Sequence, residues 1–181
     1  MKAFYLVLSV AITAILAPCA DAPSAQANTN SVAFRSPFTL KLHVDKENYY
    51  EQKFPKVPYV YNDDVYLFKD DVFGIDLQIT NGVVQGLSYQ SDTNKAAVTL
   101  RFTQEVKDNG DAMMLLVIEN HTKHKLFIDA LMTVPKRKPV RTSILPVDAG
   151  LSGFESWQDP IVQLVLQNIR FTERPNTEQK D

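Results

Sequence analysis

The stretch VFGIDLQIT, residues 72–80, changes polarity at almost every step. Phe73, Ile75, Leu77 and Ile79 fall on one side, and Gly74, Asp76, Gln78 and Thr80 on the other. A period of two belongs to an extended strand with one dry face, because successive side chains of a strand point to opposite sides of the sheet. The pattern recurs along the chain. FTLKLHV (38–44) sets Phe38, Leu40, Leu42 and Val44 against Thr39, Lys41 and His43, and AVTLRFTQ (97–104) turns Val98, Leu100 and Phe102 inward. No heptad and no long amphipathic helix interrupts the series.

Five further segments read as strands. VYLFK (65–69) is short and aromatic, and AMMLLVI (112–118) is apolar on both faces, as a central strand is. KLFIDALMTV (125–134), VRTSIL (140–145) and PIVQLVLQNIRF (160–171) follow, the last with Pro160 at a tolerated first position. About eight strands at this spacing predict an all-β fold: an antiparallel two-sheet sandwich, Ig-like in shape only, or a small barrel. The turn after residue 80 tests register. A two-residue Asn81-Gly82 loop would pair Ile79 with Val84 and Leu77 with Gly86, leaving Val83, Leu87 and Tyr89 on the wrong face. A three-residue loop, Thr80-Asn81-Gly82, pairs Ile79 with Val83, Ile75 with Leu87 and Phe73 with Tyr89, and is the expected solution.

The first residues carry one basic side chain, Lys2, then an apolar run from Ala3 to about Ala17, then small residues. The run is too short to span a bilayer and matches a secretory signal with a small-x-small site at Ala25-Gln26-Ala27. The sequence therefore predicts a signal peptide over 1–27, a flexible tether over 28–36, a β-sandwich domain over 37–172 and a disordered tail over 173–181. Cys19 is the one cysteine. LAPC (16–19) resembles the lipobox of bacterial lipoproteins, which implies lipidation of Cys19 as an alternative, although Pro18 departs from the small residue that pattern wants before the cysteine. Either way the folded domain is expected to stand without a disulfide. The chain is expected in the periplasm or outside the cell, or lipid-anchored in the envelope.

Lys and Arg number 19 against 21 Asp and Glu, a balance that argues against a nucleic-acid binder or one drawn to anionic membrane. The charge is uneven, however. Acids gather at Asp63, Asp64, Asp70 and Asp71, and the repeat of Asp-Asp-Val-aromatic reads as two turns bounding one short strand. Bases gather at Lys136, Arg137, Lys138 and Arg141.

Candidate chemistry is sparse. ENHTKH (119–124) holds His121 and His124 in a turn, with Asp129, Glu119 and His43 as further donors. A zinc site needs three or four ligands, and the lysines at 123 and 125 repel a cation, so no metal is expected. Asn120-His121-Thr122 also matches a glycosylation sequon. Asp129 interrupts an apolar strand, and the expectation is an ion pair with Arg101, Arg141 or Arg170. GLSGFESWQDP (150–160) is expected as an irregular stretch in which Trp157 plugs one end of the sandwich. Glu155 and Asp159 flank it, but four residues of spacing do not set two carboxylates across a cleft. GLSGF lacks the final glycine of a nucleophile elbow, and no phosphate loop or dinucleotide fingerprint occurs.

These readings exclude most enzymes and point to a non-catalytic binding or interaction protein of a bacterial envelope, with no cofactor. Its expected contact surface comprises Lys136, Arg137, Lys138, Arg141, Tyr59, Tyr61 and Trp157, engaging an envelope protein or a small ligand. The alternative is a periplasmic metal or small-molecule carrier using His121, His124 and Asp129.

Overall fold

A computed structural model describes residues 32–172. The expected signal peptide, Cys19 and the tail from 173 lie outside the described residues. Within them the chain forms fourteen strands and no helix. In order these are β1 (Phe34–Arg35), β2 (Phe38–His43), β3 (Tyr49–Phe54), β4 (Val57–Pro58), β5 (Val60–Tyr61), β6 (Asp64–Leu67) and β7 (Asp71–Thr80). They continue with β8 (Val83–Gln90), β9 (Val98–Val106), β10 (Ala112–Asn120), β11 (Phe127–Thr133), β12 (Val140–Ser143), β13 (Ser152–Trp157) and β14 (Gln163–Arg170).

Two five-stranded sheets carry the structure, in the orders β13-β10-β9-β7-β8 and β12-β11-β14-β6-β5, and all pairings within them are antiparallel. The expected sandwich is therefore the fold, and no barrel closes. Phe73, Ile75, Val98, Leu100, Phe102, Met114, Leu116 and Ile118 leave the first sheet for the core. Val65, Leu67, Ile128, Ala130, Leu164 and Leu166 meet them from the second. Burying each of these side chains other than Ala130 is worth about 1.5–3 kcal/mol against exposure, and that one interior holds both sheets together.

The β2–β3 hairpin closes one end. Leu40 and Leu42 enter the core, while Phe38 and Phe54 stack at 5.2 Å and both meet the buried Phe68 edge-on, at 5.1 and 4.9 Å. A reciprocal pair of hydrogen bonds, Gln104 Nε2 to the His43 carbonyl and the His43 amide to Gln104 Oε1, each 2.9 Å, ties the hairpin to β9.

Four expectations need correcting. Strand β13 falls in the stretch expected as irregular, and β3 in one where the sequence predicts no strand. Arg35, placed in the tether, belongs to β1, which pairs with β4, and its side chain is buried. Val44 lies beyond the end of β2 and is exposed, not inward. The β7–β8 hairpin uses the two-residue Asn81-Gly82 turn, both residues left-handed (φ 52° and 76°), with Thr80 opposite Val83 and Ile79 opposite Val84. A register shift beyond Gln78 then sets Leu77 opposite Leu87 and Ile75 opposite Tyr89. The bulge restores the phase that a regular ladder would have lost, which is how the rejected turn becomes possible. Ile79 and Val83 sit outside the bulge and are 47% and 55% exposed.

Candidate functional site

The β2–β3 turn is built by Asp45. Its Oδ1 accepts from the amides of Glu47 and Asn48 at 3.0 and 2.9 Å, and the Asn48 side-chain amide reaches both carboxylate oxygens at 2.9 Å. Hydrogen bonds from the Asn48 side chain and from the Glu47 and Asn48 amides hold the Asp45 carboxyl below its ordinary range. Tyr49 follows, half exposed, with Lys41 Nζ 4.4 Å from its ring centre and the His43 ring at 4.3 Å. Opposite stands the turn between β11 and β12, with Lys136 in the left-handed conformation (φ 61°). Between the two lies a groove of about 610 Å³ bounded by Asp45, Tyr49, Tyr50, Lys136, Arg137 and Asp159. Arg137 Nη1 meets Asp159 Oδ1 at 3.3 Å, whereas among the described residues no carboxylate lies within ion-pair reach of Lys136 or Lys138.

The seven residues expected as one contact surface are thus dispersed. Lys136 and Arg137 border this groove. Arg141 lies in β12 and lines a separate cavity of about 230 Å³ with Asp129 and Arg170. Tyr61 is exposed beside the left-handed Asn62-Asp63 turn, and Asp70 is left-handed too, so one member of each acidic pair sits in a turn as expected, whereas Asp64 opens β6 and Asp71 opens β7. Tyr59 is only partly exposed. It is half-buried under the Arg35 guanidinium, whose Cζ stands 3.9 Å from the ring centre. Its other ring neighbours are Tyr89, stacked at 4.3 Å, and Phe73. Burial, with Tyr59 close by, pushes the Tyr89 phenol up. Trp157 is half-buried. Its Nε1 donates to Thr142 Oγ1 at 2.9 Å and its ring meets Phe102 edge-on, so it bridges the two sheets at their β12 and β13 edges, much as the expected plug would.

Arg35 is the residue that sequence reasoning missed. Its Nε and Nη2 grip Asp71 at 3.1 and 2.6 Å, while Nη1 and Nη2 donate to the carbonyls of Pro58 and Tyr66 at 2.7 and 2.6 Å. An arginine in a short polar stretch carries no sequence signal for such a slot, because the slot is assembled from β4, β6 and β7.

The histidine turn is organised by Asn120, which is 1% exposed. Its side-chain amide donates to the carbonyls of His124, Val147 and Asp148 at 2.8, 3.1 and 3.0 Å, and its oxygen accepts from the Thr122 amide and hydroxyl. The sequon asparagine is therefore a buried bracket. His121 Nε2 lies 3.2 Å from Thr99 Oγ1, His124 stacks on Phe171, and Asp129 accepts from Arg170 Nη1 at 3.0 Å. Among the described residues no group of three His, Cys, Asp or Glu side chains is placed to hold a metal ion, so His121, His124 and Asp129 are not brought together. The Asp129–Arg170 pair is one of the three expected partnerships.

Glu155 and Asp159 are likewise engaged separately. Glu155 Oε1 accepts from the Leu145 amide at 2.6 Å, and Asp159 holds Arg137. No protein-family model matches the chain, and no curated protein or solved structure is similar to it.

Proposed function

We propose that the chain is an exported, non-catalytic binding protein of a bacterial envelope, periplasmic or secreted, or held to the membrane by lipid on Cys19. The groove between the β2–β3 turn and the basic turn carries this reading, since it sets an exposed tyrosine beside Arg137, paired to Asp159, and Lys136, which has no acidic partner among the described residues. Tyrosine and arginine are enriched at protein contact surfaces, where a flat ring and a forked cation supply area and hydrogen bonds together. The partner is an envelope protein with an acidic segment. The test is charge reversal at Lys136, Arg137 and Lys138 together. The Arg137–Asp159 pair is solvated, so melting should shift by no more than about 1 kcal/mol in stability. Capture of the partner from envelope extracts should fall at least about tenfold, as several rim and groove charges are lost at once. Undiminished capture would discard this groove. The mass of the mature N-terminus, read in the same experiment, separates lipidated Cys19 from free Asn28.

A further inference from the structure

The two edges of the β13-β10-β9-β7-β8 sheet are treated differently. At the β8 edge, the Leu87 amide is capped by Asp63 Oδ1 at 3.0 Å, so a side chain occupies a group that a new strand would need. At the β13 edge nothing comparable stands among the described residues. Asn120 N donates to the Leu151 carbonyl at 2.9 Å, which fixes the phase of the ladder just before β13. In an antiparallel pair, residues alternate between turning both backbone groups to the partner and turning both away. With Met114 opposite Trp157 and Ile118 opposite Gly153, residues Gly153, Glu155 and Trp157 face β10, and Ser152, Phe154 and Ser156 present their N–H and C=O groups outward.

The side chains at this edge lack the usual protections. Natural edges are blunted by lysine, proline, bulges or inward charges. Here the sequence is Ser-Gly-Phe-Glu-Ser-Trp, with Phe154 64% exposed, and Leu151 and Leu145 also exposed. The one charge, Glu155, is folded back onto the Leu145 amide.

We propose that β13 pairs antiparallel with β13 of a second copy of this chain, joining two sheets into one of ten strands. The strand fits itself in one register. With Phe154 opposite Phe154, Ser152 meets Ser156 and Gly153 meets Glu155, so no like charges face each other and the two phenyl rings pair across the strands. A shift to centre on Glu155 sets two carboxylates opposite and is disfavoured. A two-fold axis through Phe154 also places the outward N–H and C=O of both copies in reach of each other, and the capped β8 edge stops the assembly at a dimer. Six residues per strand bury less than the roughly 1,200 Å² of a stable interface, so the dimer is weak and visible only at high concentration.

Sedimentation velocity on the mature full-length protein, from micromolar to near-millimolar, tests this. A monomer–dimer equilibrium is expected, and Phe154→Lys should weaken it at least about tenfold by setting two cations face to face. Ser156→Pro removes an outward N–H and should act similarly. A spin label at Ser152 reads the register directly, since the two labels in a Phe154-centred dimer lie within about 20 Å of each other, four residues of strand plus linkers. A strictly monomeric protein at all concentrations overturns the proposal. So does a dimer indifferent to both substitutions, or one whose labels are too far apart to couple.

Discussion

Two arginine–aspartate pairs, one at each flank of the β14-β6 region, show how burial changes what an ion pair must be. Arg35 and Asp71 have side chains only 7% and 13% exposed. There the pairing is bidentate, two of the three remaining guanidinium hydrogens go to carbonyls, and Asp71 Oδ2 also accepts from the Phe68 amide at 2.7 Å. Arg170 and Asp129 keep 26% and 23% of their exposure and share a single Nη1 contact. Asn168 adds a hydrogen bond to Asp129 Oδ2, and Arg170 Nε is buried without a partner among the described residues. A desolvated pair needs good geometry and further hydrogen bonds to most of its lone pairs and hydrogens, because each charge has lost its water. Where water still reaches the ions, a looser geometry is tolerated.

The largest expected effect comes from breaking the first pair. Arg35→Met leaves Asp71 a mostly buried carboxylate without its cation, holding only the Phe68 amide, and should cost about 3–5 kcal/mol in denaturant unfolding. Adding Asp71→Leu to the same chain should recover most of that loss, since two apolar groups need no pairing. If Arg35→Met lost less than about 1 kcal/mol, the segment before β2 would behave as the tether expected from its composition, and the contrast between the two pairs would collapse.

Asp129→Asn should act in the same direction but less. Its pair is partly solvated, so about 1 kcal/mol is expected from the same unfolding curves. A loss as large as that at Arg35 would mean that geometry, not exposure, sets the scale. Combining Asp129→Asn with Arg35→Met should give nearly additive costs, because the two pairs share no side chain.

Legibility in the sequence follows the same division. Strands β7, β9 and β10 were readable because one face is dry along much of their length: Val98, Leu100 and Phe102 are fully buried where alternation placed them. Asp129 stood out because an apolar strand made its charge conspicuous, and Arg170 was among its foreseen partners. Strands β3 and β13 expose most or half of their side chains, so their sequences, YYEQKF and SGFESW, contain no apolar stripe to find. The bulge in β7–β8 was hidden for another reason. A register argument assumes a regular ladder, and one extra residue changes every later pairing. Arg35 was illegible because the short polar stretch around it gives its charge nothing apolar to stand out against.

Asp45 extends the series to a carboxylate with no ion-pair partner among the described residues. It is fully solvated and held by amides alone, and those hydrogen bonds favour the charged form. Its folded pKa therefore lies below the unfolded value. By linkage, the stability it adds is present above the unfolded pKa and is lost as pH falls through the folded one. The melting difference between the wild type and Asp45→Asn should thus be small, constant from neutral pH down to about 4, and should fade below that. It should also resist added salt, because its partners are neutral, whereas the Arg170–Asp129 contribution should weaken as ionic strength rises. A difference that grew in acid would mean that Asp45 acts through a charge and not through the turn it closes. In that case exposure would not be the variable that ranks the three carboxylates.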